Sequence, residues 1–213
     1  MARPRYEAGQ AHARQRIVEA FWTQLAATPF PRMSVLGLCR TAGLNKNTFY
    51  YHFRDLDDLA EAALAESLPR EIAATLALLA REKAGDRLGK ALADGGAGAE
   101  AGAELVALRP LARQVNDPAT VSRLRRMGLV LSPNGAALRD RMLDLVVRVW
   151  VEELGLDDIT VRQERLLRFL AGGLVGVLSR VPPEEYAHTV TGLLAEAPVQ
   201  MSVHEVLGWR ATG

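Results

Sequence analysis

Lys46, Asn47, Tyr50 and Tyr51 fall within one short run of chain and bring it hydrogen-bond donors, acceptors and two aromatic rings. On a short helix they form an exposed face of the kind that meets base edges in a DNA major groove. Bond-making chemistry finds less support. His12, His52, His188 and His204 show no metal-ligand spacing among themselves or with Cys39. There is no Gly-x-Ser-x-Gly elbow, and no paired-carboxylate signature rises above the background of solvated charges. No catalytic residue, metal site or cofactor is expected, and the chain does not read as an enzyme.

The elements that must position those residues surround them. Val35, Leu38, Cys39 and Ala42 recur at the i, i+3, i+4, i+7 spacing of one helix face, with Ser34 before them as N-cap. Gly43 can take the left-handed conformation that ends a helix, and Leu44 plugs the angle that follows. Asn45 is the next N-cap, its side-chain oxygen placed to accept the amide of Asn47 or Thr48. Phe49 and Phe53, one turn apart, point together into the core. The stretch from Ser34 to Phe53 reads as a helix-turn-helix.

These residues resemble the DNA-binding domain of the TetR family of bacterial transcriptional regulators. The likeness runs through Ile17 and Ala20-Phe21, Ser34-Val35-x-x-Leu38, Ala42-Gly43-Leu44 and Thr48-Phe49-Tyr50-x-His52-Phe53, followed by Leu59. The family usually has a glycine near Thr28 to Phe30, where this chain reads Thr-Pro-Phe-Pro, a change confined to a loop. It also usually has a phosphate-contacting lysine at Leu56; Arg54 stands nearby to supply that charge. The resemblance implies an all-α chain with a three-helix DNA-binding domain over residues 1–56 and a helical effector-binding and dimerisation domain over 57–213. It further implies a homodimer on a palindromic double-stranded DNA operator, most simply a repressor answering to a small-molecule effector. Lys46, Asn47 and Tyr50 are expected to read bases. Thr48, Tyr51 and His52 are expected to seat the helix on phosphates, with Arg32, Ser34 and Asn45 at the same surface.

Charge follows the same division. The 213 residues carry a net charge of +1, but residues 1–56 hold eight cations against three carboxylates, or +5, leaving 18 cations against 22 carboxylates, or −4, for the rest. A basic head on a mildly acidic body suits a protein whose phosphate contacts come from one end. At 49% hydrophobic composition the chain has ample material for a core. The single cysteine lies on the buried face of its helix, where it reads as a small apolar residue in a reducing compartment. No apolar run approaches the ~20 residues that span a bilayer, and the N-terminus has no signal-peptide core. A cytoplasmic location is expected.

Ala11 to Ala27 reads as the first helix, with Ile17, Ala20, Phe21 and Leu25 on its stripe and Trp22 and Thr23 off it. From Asp55 another helix starts, with Asp55, Asp57 and Asp58 at its positive end and Leu56, Leu59, Ala60, Ala63 and Leu64 as its apolar set. Pro69 breaks or kinks it, and a further helix continues to about Lys83. Residues 85–102, centred on Gly95-Gly96-Ala97-Gly98, read as a loop. A helix over 104–116 is interrupted by Pro110, and Asp117-Pro118 begins another that runs to about Leu131. After the turn Ser132-Pro133-Asn134-Gly135, Leu138, Met142, Leu145, Val149 and Trp150 mark a core helix closed by Gly155.

Val161 to Arg180 is apolar on more than one face: Leu167, Leu170, Leu174 and Leu178 form one stripe and Leu166, Phe169, Gly173, Gly176 and Val177 another. One core needs only one face. The second stripe, with Val190 and Leu194 of a last helix near 184–197, is therefore expected to meet its copy in a dimer. The effector pocket is expected in the body between the helices at 134–154 and 104–131, with Met142 and Trp150 as wall and Arg109, Asn116 and Arg148 as polar groups. Two other readings compete. A small helical enzyme or small-molecule-binding protein would show turnover or binding without sequence-selective DNA affinity, and an interaction module would take a distinct partner instead of its copy.

Overall fold

The first helix, α1, spans Arg3–Ala27 and so begins eight residues before the expected start at Ala11. Pro4 is compatible with this start, because the first N–H groups of a helix have no intrahelical partner to lose. Pro29 closes it, since the residue before a proline is driven out of the helical region. A 3-10 turn at Phe30–Arg32 follows, then α2 at Val35–Ala42, α3 at Lys46–His52 and α4 at Leu56–Ser67. Further along come α5 at Pro118–Leu131, a 3-10 turn at Pro133–Leu138, α6 at Arg139–Glu153, α7 at Val161–Leu178 and a 3-10 turn at Pro183–Glu185. This computed structural model describes residues 3–67, 117–153, 155, 156, 158–186, 189 and 193. Among them the fold is all α, without a strand. The expected helices over 72–83 and 104–116 and the loop over 85–102 lie outside the described residues, as does most of the expected helix near 184–197.

The chain forms two compact units, Met1–Ser67 with Arg126–Met142, and Leu68–Arg125 with Leu143–Gly213. In the first unit α1 is the central element and packs against α2, α3 and α4. Ile17, Val18, Phe21 and Leu25 from α1, Leu38 from α2, Phe49 from α3 and Leu59 from α4 are fully buried. Trp22 is buried as well, although it lies off the stripe of α1. Arg126, more than a hundred residues away in sequence, lies over its ring at 5.9 Å and pairs with Glu19 at 2.6 Å.

The same distant segment closes the end of α1. Its 3-10 turn packs on α1 and on the turn at Phe30–Arg32, and Asn134 donates to the carbonyl of Ala26 at 3.2 Å. Gly135 is required there: a Cβ would stand 2.4 Å from the backbone of Leu129 and Val130. Arg139 donates to Leu131 O at 2.6 Å, satisfying a carbonyl at the end of α5. Arg141 pairs with Asp57 at 2.6 Å and lies over the Phe30 ring at 5.7 Å.

In the second unit Asp117 accepts the Thr120 amide at 3.1 Å as the cap of α5. Gly155, at φ 58°, ends α6 in the left-handed conformation, and Leu156 N returns to Val151 O at 3.0 Å. Thr160 and Gln163 form a reciprocal capping box at the start of α7. Arg168 of α7 reaches Asp144 of α6 at 2.6 Å and Glu164 of its own helix at 3.1 Å. Leu167, Ala171 and Leu178 are buried. The second apolar stripe of α7 is not.

Candidate nucleic-acid interface

Helix α2 begins with Ser34, whose hydroxyl accepts the Gly37 amide at 3.1 Å, and ends at Gly43 with φ 62°. Leu44 N donates to Cys39 O at 2.9 Å and Gly43 N to Arg40 O at 3.2 Å, the paired closure of a helix that finishes in a left-handed residue. Two residues later Asn45 caps α3. Its Oδ1 accepts both the Thr48 amide at 2.8 Å and the Thr48 hydroxyl at 3.0 Å. Both helices of the helix-turn-helix are thus terminated by bonds that the sequence carries locally.

The seven residues of α3 divide sharply by exposure. Phe49 is fully buried and lies 5.9 Å from the ring of Phe53. Lys46 and Asn47 are exposed, while Tyr50 and Tyr51 keep 56% and 64% of their surface in water. Arg32, Ser34 and Asn45 are exposed and Thr48 is half-buried. His52 is half-buried, with Nε2 turned inward and no hydrogen-bond partner among the described residues. Burial, and then the Arg14 charge, hold its imidazole below the usual histidine range, favouring the neutral ring. Cys39 is a buried thiol pushed up by its burial, with the Lys46 charge acting in the opposite sense.

The start of α4 follows α3 closely in the chain, and Asp55, Asp57 and Asp58 there would repel a phosphate. Each is engaged. Asp55 accepts the Asp58 amide at 2.8 Å, Asp58 accepts the Arg54 amide at 2.9 Å, and Asp57 holds Arg141. The Arg54 amide is the main cause that keeps the Asp58 carboxyl below the ordinary carboxylate range. The Arg54 guanidinium meets Asp58 only at 3.5 Å and is 84% exposed, so it remains accessible to an anion.

The other expected sites are less gathered. Met142 belongs to the first unit and Trp150 to the second, and both are buried. Arg148 is exposed; two residues apart on a helix, it and Trp150 face nearly opposite ways. Arg109 and Asn116 lie outside the described residues, as do Val190 and Leu194. On α7, Leu166 is half-buried, Gly173 and Gly176 are exposed, Val177 is partly exposed and Phe169 is 71% exposed. Among the described residues no group of His, Cys, Asp and Glu could hold a metal ion, and no helix is long and apolar enough to cross a membrane.

Three cations that brace the elements around this surface stand in no motif or periodicity: Arg14, Arg16 and Arg141. Each sits on one element and reaches another, and only a composition count registers them.

The class defined by these elements is an all-helical protein with a helix-turn-helix and an exposed polar and aromatic second helix. No family model matches the chain, and no curated protein does. Among solved structures, the crystal structure of the TetR family repressor AlkX from Dietzia sp. strain DQ12-45-1b, implicated in biodegradation of n-alkanes, is similar at 18% identity. The match covers 89% of this chain and 96% of that one, with a TM-score of 0.35.

Proposed function

We propose that the protein is a TetR-like transcriptional regulator, a cytoplasmic repressor that binds a palindromic DNA operator as a homodimer. The observation that carries the reading is the division of α3. Phe49 anchors the helix in the core, while Lys46, Asn47, Tyr50 and Tyr51 stand outward behind a capped start. Lysine offers donors to guanine O6 and N7, and asparagine pairs with adenine N6 and N7, so these side chains suit base edges. Tyr51, Arg32 and Arg54 supply donors at the level of the phosphates, while the Thr48 hydroxyl donates its proton to the Asn45 cap.

The second apolar stripe of α7 supports the dimer. Phe169 is a large ring left in water, and an added Cβ at Gly172, Gly173 or Gly176 meets nothing within 4 Å. A partner helix approaching there would bury the ring and use the space above the glycines. Two heads so joined read two half-sites about 34–36 Å apart. A small molecule that binds the body near Trp150 and favours another spacing of the heads would release the operator in proportion to that preference.

Selection of bound duplexes from a random pool tests the reading. A palindromic consensus is expected. Recovery of unrelated sequences, together with turnover of a small molecule, would support the enzyme reading instead.

A further inference from the structure

The last four carbonyls of α2 have no partner within the helix. Those of Cys39 and Arg40 are taken by the Leu44 and Gly43 amides. The Ala42 carbonyl is taken from outside, by Arg16 Nη2 of α1, which also stands 3.4 Å from the Gly43 carbonyl. A guanidinium therefore sits at the negative end of α2, on two successive carbonyls of the turn that leads into α3. A Cβ at Gly43 would come within 2.8 Å of that nitrogen. A larger residue there would strain the backbone and also dislodge the arginine.

Two residues earlier on α1, Arg14 lies over the ring of Phe53 at 5.4 Å and pairs with Glu66 of α4. Phe53 is the C-cap of α3. One helix thus reaches the turn before the recognition helix and the residue that ends it, through cations two positions apart.

We propose that Arg16 is a positioning residue for the recognition helix, directing its charge into the turn between α2 and α3 instead of onto a DNA phosphate. The proposal rests on the reading of α3 as a base-reading helix. Base contacts need groups held within about 0.5 Å and 10–20°, whereas nonspecific attraction to the phosphate backbone tolerates a looser α3. Releasing the turn from α1 therefore penalises the chosen sequence more than any other.

The test compares wild type, Arg16→Met and Arg16→Lys on a selected duplex and on its scrambled form, each over a salt series. Hydrogen exchange of the Gly43 and Leu44 amides is followed in the free protein, and a thermal melt confirms folding. For Arg16→Met, affinity for the selected duplex should fall about tenfold or more, while the scrambled duplex changes less than about twofold. Its salt dependence should be unchanged, exchange at both amides should quicken, and Arg16→Lys should restore part of the loss. A parallel fall on both duplexes, with the salt slope reduced by about one per head, would make Arg16 a phosphate contact and overturn the proposal. Unchanged affinity and exchange would overturn it too. If wild type itself shows no sequence preference, the DNA reading fails separately, and exchange alone then decides whether Arg16 holds the turn.

Discussion

Phe49 and Tyr50 are adjacent on α3 and meet edge to face, ring centroids 5.4 Å apart at 88°, yet the first is fully buried and the second 56% exposed. Folding and recognition should therefore separate between neighbouring residues. Phe49→Ala should cost about 3–5 kcal/mol of stability, as large-to-small changes in a packed core do. Tyr50→Ala should leave urea unfolding near wild type while weakening DNA binding. An equal loss of stability for both would contradict the division.

Asn45 offers a second separation. It accepts two hydrogen bonds from Thr48, so Asn45→Ala should cost about 0.5–2 kcal/mol through loss of the cap. Asn45→Asp keeps the acceptor and places a negative charge at the positive end of α3, so stability should hold. DNA affinity should nevertheless drop, because that carboxylate would face phosphates. Measuring both variants by denaturation and by fluorescence anisotropy shows whether the residue lies at the interface or only caps the helix.

His52 sets a pH dependence. Its folded pKa lies below the ordinary value of 6.5, through burial and then Arg14. Above the ordinary value both folded and unfolded forms are neutral. As pH falls through it, the unfolded chain takes up the proton first, so stability declines until the folded pKa is passed. Unfolding measured between pH 5 and 8 should show this decline in wild type and a flatter profile in His52→Gln. Identical profiles would mean that the inward-facing imidazole does not titrate differently on folding.

The α7 surface can be tested without disturbing the subunit core. Phe169 is 71% exposed and a Cβ at Gly176 meets nothing within 4 Å, so Phe169→Asp and Gly176→Leu should fold normally. Sedimentation should show weakened dimers for both, and operator affinity should fall much further than affinity for random DNA. Wild-type assembly in both variants would remove this face from the interface.

What is legible in the sequence of this chain is local. Ser34, Gly43 and Asn45 cap or end helices through partners no more than five residues away, and Phe49 and Phe53 follow helical periodicity. Trp22 was not legible, because its cover includes Arg126 and no short-range pattern links the two. The early start of α1 lacked an apolar stripe to announce it. Arg16 registered only as one more positive charge, although its guanidinium is directed at carbonyls of the turn. On α7 the two stripes were visible, and the exposure of Phe169 beside the burial of Leu167 distinguishes the outward one.

The central claim is that α3 reads sequence through Lys46 and Asn47, and the most direct measurement is anisotropy titration of a selected duplex and its scrambled counterpart with wild type, Lys46→Ala and Asn47→Ala. Each substitution is expected to cost about 1–3 kcal/mol on the selected duplex and to narrow its advantage over the scrambled one. Unchanged affinity and unchanged preference in both variants would contradict the account.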